Sequence, residues 1–302
     1  MIVTAVRRLG ECPALASVDQ RSCNAPESAG RLRRMEAPFV LALLASTTGA
    51  QECLGIALRA GEILGRPVQI AHVEVGPGAI ILPSQEQLTE YEAEHFAERE
   101  KAETEAVRAL VGAWNASHGA NLPLEVFKGD EWRAMRHYRG QLAMVVLASP
   151  HTQPMGHRDT LRAALLRTGH PVVMVPPGWA NGFGRRLLVG WADSPPLRRA
   201  IAAFTPFLAA AEAVDVVAVS QDPMVLEKAR SVLGPLVPGA RYRTVAPEGR
   251  RTAQVLIAEA RSTQADGLVV GAFRRGEILN WLVPGTSSRL IRESAVPLMV
   301  SA

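Results

Sequence analysis

Few groups of residues in this chain have the types and spacing that chemistry requires. Asp193 and Ser194 pair a carboxylate with a hydroxyl, but Pro195 and Pro196 follow them, which is the pattern of a helix N-cap with proline in the first turn. His151 and His157 stand six apart beside Asp159, a weak metal-ligand spacing read here as surface or capping histidines. The other histidines (His72, His95, His118, His137 and His170) are scattered, and none belongs to an H-E-x-x-H pair. No G-x-x-x-x-G-K-[ST] is present, no G-x-G-x-x-G follows a strand-like run, and no G-x-S-x-G elbow offers an acyl nucleophile. Cys53 falls on an apolar periodic position early in a helical stretch, so it reads as a buried thiol rather than a redox switch. The five tryptophans are too dispersed for a base-stacking platform and read as core or interface anchors. No catalytic residue and no metal site are assigned, and the chain reads as a non-enzyme.

Composition sets the frame around those residues. The 302-residue chain is 48% hydrophobic and 21% charged, a globular composition with length for one large or two ordinary domains. Its 33 Lys and Arg against 29 Asp and Glu leave a net charge of +4, too small an excess for a dedicated nucleic-acid binder. The three cysteines (Cys12, Cys23 and Cys53) are too few and too irregular for a disulfide framework or a structural zinc site, so a reducing cytoplasmic location is expected. No apolar run approaches the roughly 20 residues of a membrane span, since Ala37 to Ala45 is followed at once by Thr47, Thr48 and Gly49. Residues 1–36 are arginine-rich without periodicity and read as a disordered extension, lacking the apolar core of a secretory signal, with Met35 as an alternative start. An organelle transit peptide is a second reading.

From Phe39 onward short Val/Leu/Ile runs alternate with amphipathic stretches, the pattern of a parallel sheet covered by helices. Strands are predicted at 39–44, 68–73, 124–127, 143–148 and 172–175, then at 187–191, 214–219, 242–245, 267–270 and 297–300. The halves match locally: Met144-Val145-Val146-Leu147-Ala148 reads like Leu268-Val269-Val270-Gly271-Ala272, and each precedes a helix and a strand introduced by proline. The stretch from Ser46 to Met144 exceeds that from Ser194 to Leu268 by 24 residues (144 − 46 against 268 − 194). The excess falls in 85–117, where Leu88, Tyr91, His95, Ala102, Ala106, Leu110 and Trp114 make one helical stripe and the charges of 92–105 a solvated face. Pro176 to Gly184 concentrates chain breakers and predicts a linker. The expected domains are therefore 37–177 and 186–302.

At this point the sequence resembles the universal stress protein family, in its tandem, two-copy form. The likeness covers roughly 37–302. It rests on Val40-Leu41-Ala42-Leu43-Leu44-Ala45-Ser46 and Leu188-Val189-Gly190-Trp191-Ala192-Asp193-Ser194, and on the closing stretch from Val270-Gly271 through Pro284-Gly285-Thr286-Ser287-Ser288 to Val296-Pro297-Leu298-Met299-Val300. The resemblance implies two doubly wound, HUP-like α/β domains, each with five parallel strands in the order 3-2-1-4-5 and four helices. It also implies self-association through the final strands: an intrachain pseudo-dimer, with a further homodimer and an unknown protein partner as possible extensions. Neither nucleic acid nor membrane is an expected partner.

Nucleotide-binding relatives carry an acidic residue after the first strand and a loop G-x2-G-x9-G-[ST] after the fourth, whose glycines let backbone amides approach phosphate. Here Gly271 fits the first glycine, Arg274 stands at the second and Pro284 at the third, leaving Gly285-Thr286 displaced by one. Ala192 holds the usual acidic place, with Asp193 next to it. In the first copy Leu147 replaces the loop's first glycine, and Leu44-Ala45-Ser46 supplies no carboxylate. The expectation is a stress-response protein with a degraded nucleotide loop, acting through dimerisation or partner contact. The alternative is ATP or AMP binding, with magnesium for ATP and slow hydrolysis, in the second copy. Gly271, Gly285, Thr286 and Ser287 would then face phosphates, Arg274 and Arg275 would add charge, Asp193 would assist metal or ribose, and Val219 would line the base.

Overall fold

The computed structural model describes residues 37–79, 88–154, 157, 160–271 and 286–301. The expected disordered extension at 1–36 lies outside them. Among the described residues, ten strands form one sheet in the order β3-β2-β1-β4-β5-β10-β9-β6-β7-β8. The strands are β1 (Phe39–Leu44), β2 (Val68–Val75), β3 (Leu124–Gly129), β4 (Leu142–Ala148), β5 (Val172–Val175), β6 (Arg186–Trp191), β7 (Ala213–Val219), β8 (Arg241–Val245), β9 (Gly267–Val269) and β10 (Leu298–Val300). All ten agree with the sequence prediction to within two residues at either end. Their legibility has a simple cause: central strands of a doubly covered sheet are apolar on both faces, and β1, Phe-Val-Leu-Ala-Leu-Leu, is buried at every position.

The first five strands have the order 3-2-1-4-5, and the last five repeat it as β8-β7-β6-β9-β10. Among the described residues every strand pairing is parallel except one. At the centre β5 and β10 run antiparallel, with Met174 opposite Leu298, Val173 opposite Met299 and Val172 opposite Val300. Two apolar cores cover the two faces and follow the strand alternation: Phe39, Leu41 and Leu43 enter one, Val40, Ala42 and Leu44 the other. Both cores draw residues from both halves, and each fully buried Leu, Phe or Val contributes roughly 1.5–3 kcal/mol.

The crossover helices of the first half are α1 (Ala50–Leu64), α2 (Glu90–His118), α3 (Glu131–Tyr138) and α4 (Thr160–Ala163), the last running into a π turn at Ala164–Thr168. In the second half they are α5 (Pro195–Ala203), α6 (Thr205–Ala210), α7 (Val225–Leu233), α8 (Thr252–Ser262) and α9 (Thr286–Glu293). Pro206, in the first turn of α6, cannot donate a backbone hydrogen bond, which separates α5 from α6 at Phe204. Helix α2 is the long insertion, started by a capping box between Thr89 and Glu92. Its buried stripe differs from the predicted one. Phe96, Glu100, Thr104, Val107, Val111 and Trp114 face inward, whereas Tyr91, His95, Ala102 and Ala106 are exposed. Two polar residues in the inward row erased the hydrophobic period from which a stripe is read.

Residues 176–185 connect β5 to β6. Their end is fixed by the Asp266 carboxylate, buried just before β9, which accepts hydrogen bonds from the amides of Gly184, Arg185 and Arg186 at 3.0, 2.9 and 2.9 Å. Gly184 has φ of 80°, a left-handed backbone conformation that favours glycine.

Candidate functional site

In open parallel sheets of this winding, ligands meet the protein beyond the carboxyl ends of the strands near the switch in strand order. That region is built differently in the two halves.

In the first half, β1 ends in Ser46, Thr47 and Thr48 before α1. Two side chains from elsewhere close over this turn. Glu103 of α2 accepts hydrogen bonds from the Thr47 amide at 2.6 Å and the Thr47 hydroxyl at 2.9 Å. Gln153, after β4, accepts from Ser46 Oγ at 2.8 Å and donates to the Thr48 carbonyl at 3.2 Å. A carboxylate thus occupies a backbone amide of the turn between β1 and α1, although β1 itself supplies no acid.

Beneath this layer lies a buried polar cluster. His157 is completely buried, with Nε2 3.2 Å from Glu100 Oε2 and Nδ1 3.3 Å from Glu131 Oε1, and both carboxylates are nearly as buried. The Nδ1 contact is not aligned as a hydrogen bond, so it acts through charge. Glu100 also accepts from the Val75 amide at 3.1 Å, and Glu131 accepts from the Thr160 hydroxyl. Burial alone would lower the His157 pKa, but its contacts with Glu100 and Glu131 outweigh it and raise the value to about 9. His157 is therefore an imidazolium at neutral pH. His72, whose ring lies 6.1 Å from that of His157, goes the other way: burial is the largest cause of its lowered pKa, with repulsion from His157 adding to it. Neutral His72 donates from Nδ1 to the Leu44 carbonyl at 2.8 Å, leaving Nε2, 3.1 Å from Thr104 Oγ1, as an acceptor.

His157 thus stands corrected from a surface or capping residue to a buried ionic centre. Its partners come from α2 and α3, at 57 and 26 positions' remove, so no local spacing could announce them. The available signal was Glu100 and Thr104 in register with Phe96 and Val107 on α2. Among the described residues, no group of three His, Cys, Asp or Glu is arranged to hold a metal ion.

In the second half, β6 leads to Ala192, Asp193 and Ser194. Ser194 caps α5, its Oγ accepting from the Leu197 amide at 3.4 Å, as the sequence predicted. Asp193 lies at the surface, accepting from Arg198 Nη2 at 2.6 Å and Lys228 Nζ at 2.9 Å. Lys228 and Arg198 hold its carboxyl below the usual range. Val219, at the end of β7, is half-buried against the core. Gly271 follows β9, where a Cβ would come within 2.7 Å of the Leu197 nitrogen, so the first turn of α5 itself demands glycine. Asp193, Val219 and Gly271 thus sit at the carboxyl ends of the adjacent strands β6, β7 and β9. Arg274, Arg275 and Gly285 lie outside the described residues, and so do the side chains of Thr286 and Ser287 at the start of α9. Cys53 is buried, as expected, and burial together with the Glu52 charge pushes its thiol pKa far up.

A mostly parallel, doubly wound sheet with strand order 3-2-1-4-5 and polar groups gathered at the carboxyl ends defines an α/β protein of the universal stress fold. Residues 185–301 match the model of the Universal stress protein family. A universal stress protein from Archaeoglobus fulgidus DSM 4304 has a similar structure, with a TM-score of 0.60 and 16% identity, over 87% of this chain and 95% of that one. A protein assigned to the same group, from Pseudomonas aeruginosa UCBPP-PA14, gives a TM-score of 0.52 at 12% identity over 89% and 94% of the two chains. Among curated proteins none matches the sequence significantly. No helix among the described residues is long and apolar enough to cross a membrane.

Proposed function

We propose that the chain is a tandem universal stress protein with domains at 37–177 and 186–302, acting in the cytoplasm by contact with a protein partner rather than by nucleotide chemistry. The observation that carries this reading is the Glu103 carboxylate on the Thr47 amide, backed by the His157 cluster. In support of it, Glu103, Glu100, Glu131 and His157 gather among themselves near the strand ends where a first-copy ligand would lie. The antiparallel β5–β10 junction supports the tandem chain as a dimer closed within itself.

The second reading is ATP or AMP binding in the second copy, and it is favoured by Asp193, Val219 and Gly271 lying at neighbouring strand ends. Against it, the Asp193 carboxylate is engaged by Arg198 and Lys228, and Gly271 has a packing role sufficient to explain it.

Thermal unfolding with 1 mM ATP and magnesium, and separately with 1 mM AMP, decides between them. A ligand present at about 100 times its Kd adds about 2.7 kcal/mol of stability, equivalent to a rise of roughly 5–10 °C for a unit of this size. The expected outcome is no rise with either nucleotide. A rise of several degrees, with one nucleotide bound per chain by calorimetry, would sink the partner-contact reading and establish the second.

A further inference from the structure

At the opposite edge of the second half, the amino ends of β6, β9 and β10, lies an open groove of about 630 Å³. Its volume falls within the range of small-molecule sites. Its floor is apolar, formed by Ala260, Ala265 and Val296. One wall is Trp179 of the connecting segment, whose indole is held by a hydrogen bond from Nε1 to the Gly182 carbonyl at 3.2 Å.

The charges around the groove do not cancel. Three guanidiniums (Arg185, Arg186 and Arg261) face two carboxylates (Glu212 and Asp266). Glu212 is taken by Arg185 at 2.6 Å. Asp266 accepts from the three amides described above and keeps its charge, so the five ionic groups carry one net positive charge. Among the described residues neither Arg186 nor Arg261 meets a carboxylate. Arg261, in the last turn of α8, faces the partial negative charge of that helix end, so Arg186 is the guanidinium of the groove engaged by neither a carboxylate nor a helix end.

Gln264 closes α8: its φ of 53° is the left-handed conformation that ends a helix, with the Ala265 amide donating to the Ala260 carbonyl at 2.8 Å, and it sets the side chain beside Arg186. Its Oε1 receives Arg186 Nη1 at 3.4 Å, which orients the guanidinium and leaves the carboxamide NH₂ as a further donor on the groove. Donors, one uncompensated positive charge, an indole face and an apolar floor together select a flat ring bearing a single negative charge.

We propose that this groove binds a planar aromatic monoanion, its ring against Trp179 and its carboxylate or equivalent anion on Arg186 and Gln264. This site is separate from the carboxyl-end crevice and does not depend on how that crevice is used. The test is calorimetric titration of the full chain with 2-naphthoate, its neutral counterpart 2-naphthol and inorganic phosphate. Saturable 1:1 binding of 2-naphthoate is expected, at least tenfold tighter than either control, with the Trp179 indole N–H resonance shifting on addition. Arg186→Ala combined with Arg261→Ala should weaken 2-naphthoate at least tenfold, while the melting temperature, both side chains being exposed, stays within a degree or two. Trp179→Ala should do the same, and if that variant is destabilised the indole resonance supplies the ring's role instead. Unchanged affinity in the double variant, equal affinity for phosphate, or an unmoved Trp179 resonance would each overturn the proposal.

Discussion

Beyond the carboxyl ends of β1, β2 and β4, the first half packs an imidazolium, two carboxylates, a neutral histidine and two threonines out of contact with water. Beyond the matching ends of β6 and β7, the second half carries its charged residues in the open, as the triad Asp193, Arg198 and Lys228. One winding therefore supports two electrostatic regimes. Buried charges cannot be relieved by solvent, so each member of the first cluster depends on the others. Exposed charges are screened and replaceable. The difference arises from α2, the insertion peculiar to the first half, which provides Glu100, Glu103 and Thr104 and covers what would otherwise be a solvent-facing crevice.

The largest expected effect of breaking this contrast is at His157. His157→Ala would leave the buried Glu100 carboxylate without the imidazolium that faces it. Loss of one partner of a buried ionic group typically costs about 3–5 kcal/mol. Urea unfolding followed by circular dichroism should show a loss of that order. A loss under about 1 kcal/mol would mean that water reaches the two carboxylates, and the two halves would then be electrostatically alike.

The same cluster makes stability depend on pH from both sides. His157 has its pKa raised from 6.5 to about 9 by folding, so its contribution is complete below pH 6.5 and is lost as pH rises through about 9. A shift of that size corresponds to roughly 3 kcal/mol between those limits. His72 has a lowered pKa, so its contribution holds above pH 6.5 and is lost as pH falls below it. Stability should therefore peak near pH 6.5, with an alkaline limb from His157 and an acid limb from His72. Urea midpoints measured from pH 5 to 10 test this, and His157→Gln should flatten the alkaline limb alone. An alkaline limb that persists in this variant would assign it to other groups.

Much of this architecture is legible in the sequence, and the reason differs from element to element. The ten strands are visible because burial on both faces leaves unbroken apolar runs. The Ser194 cap is visible because its partner is three residues away and Pro195 and Pro196 mark the helix start. The inward face of α2 is not legible, since Glu100 and Thr104, both buried, stand where a periodic reading looks for hydrophobes, and their polarity assigns that row to solvent. The His157 cluster is hidden more deeply. It joins residues from β2, α2, α3 and the segment after β4, and only the folded sheet brings them together. Gly271 could be read as a phosphate-loop glycine because the strand end was correctly placed. That the backbone of Leu197 crosses it could not be read from sequence.

The smallest effect is expected at Asp193, and its smallness is what makes it informative. Asp193→Asn removes the charge that both Arg198 and Lys228 approach, yet the two cations are more than half exposed and water can replace the lost partner. The urea midpoint at pH 7 should be unchanged, in contrast to His157→Ala under the same conditions. Because its pKa is lowered, any contribution of Asp193 is present above the unfolded value of 3.8 and is lost only as pH falls below it, outside the range in which His157 and His72 act. A midpoint that drops at pH 7 as it does for His157→Ala would show the second crevice to be as closed and interdependent as the first. An unchanged midpoint leaves Asp193 on the surface, available to a ligand or partner that can displace Arg198 and Lys228.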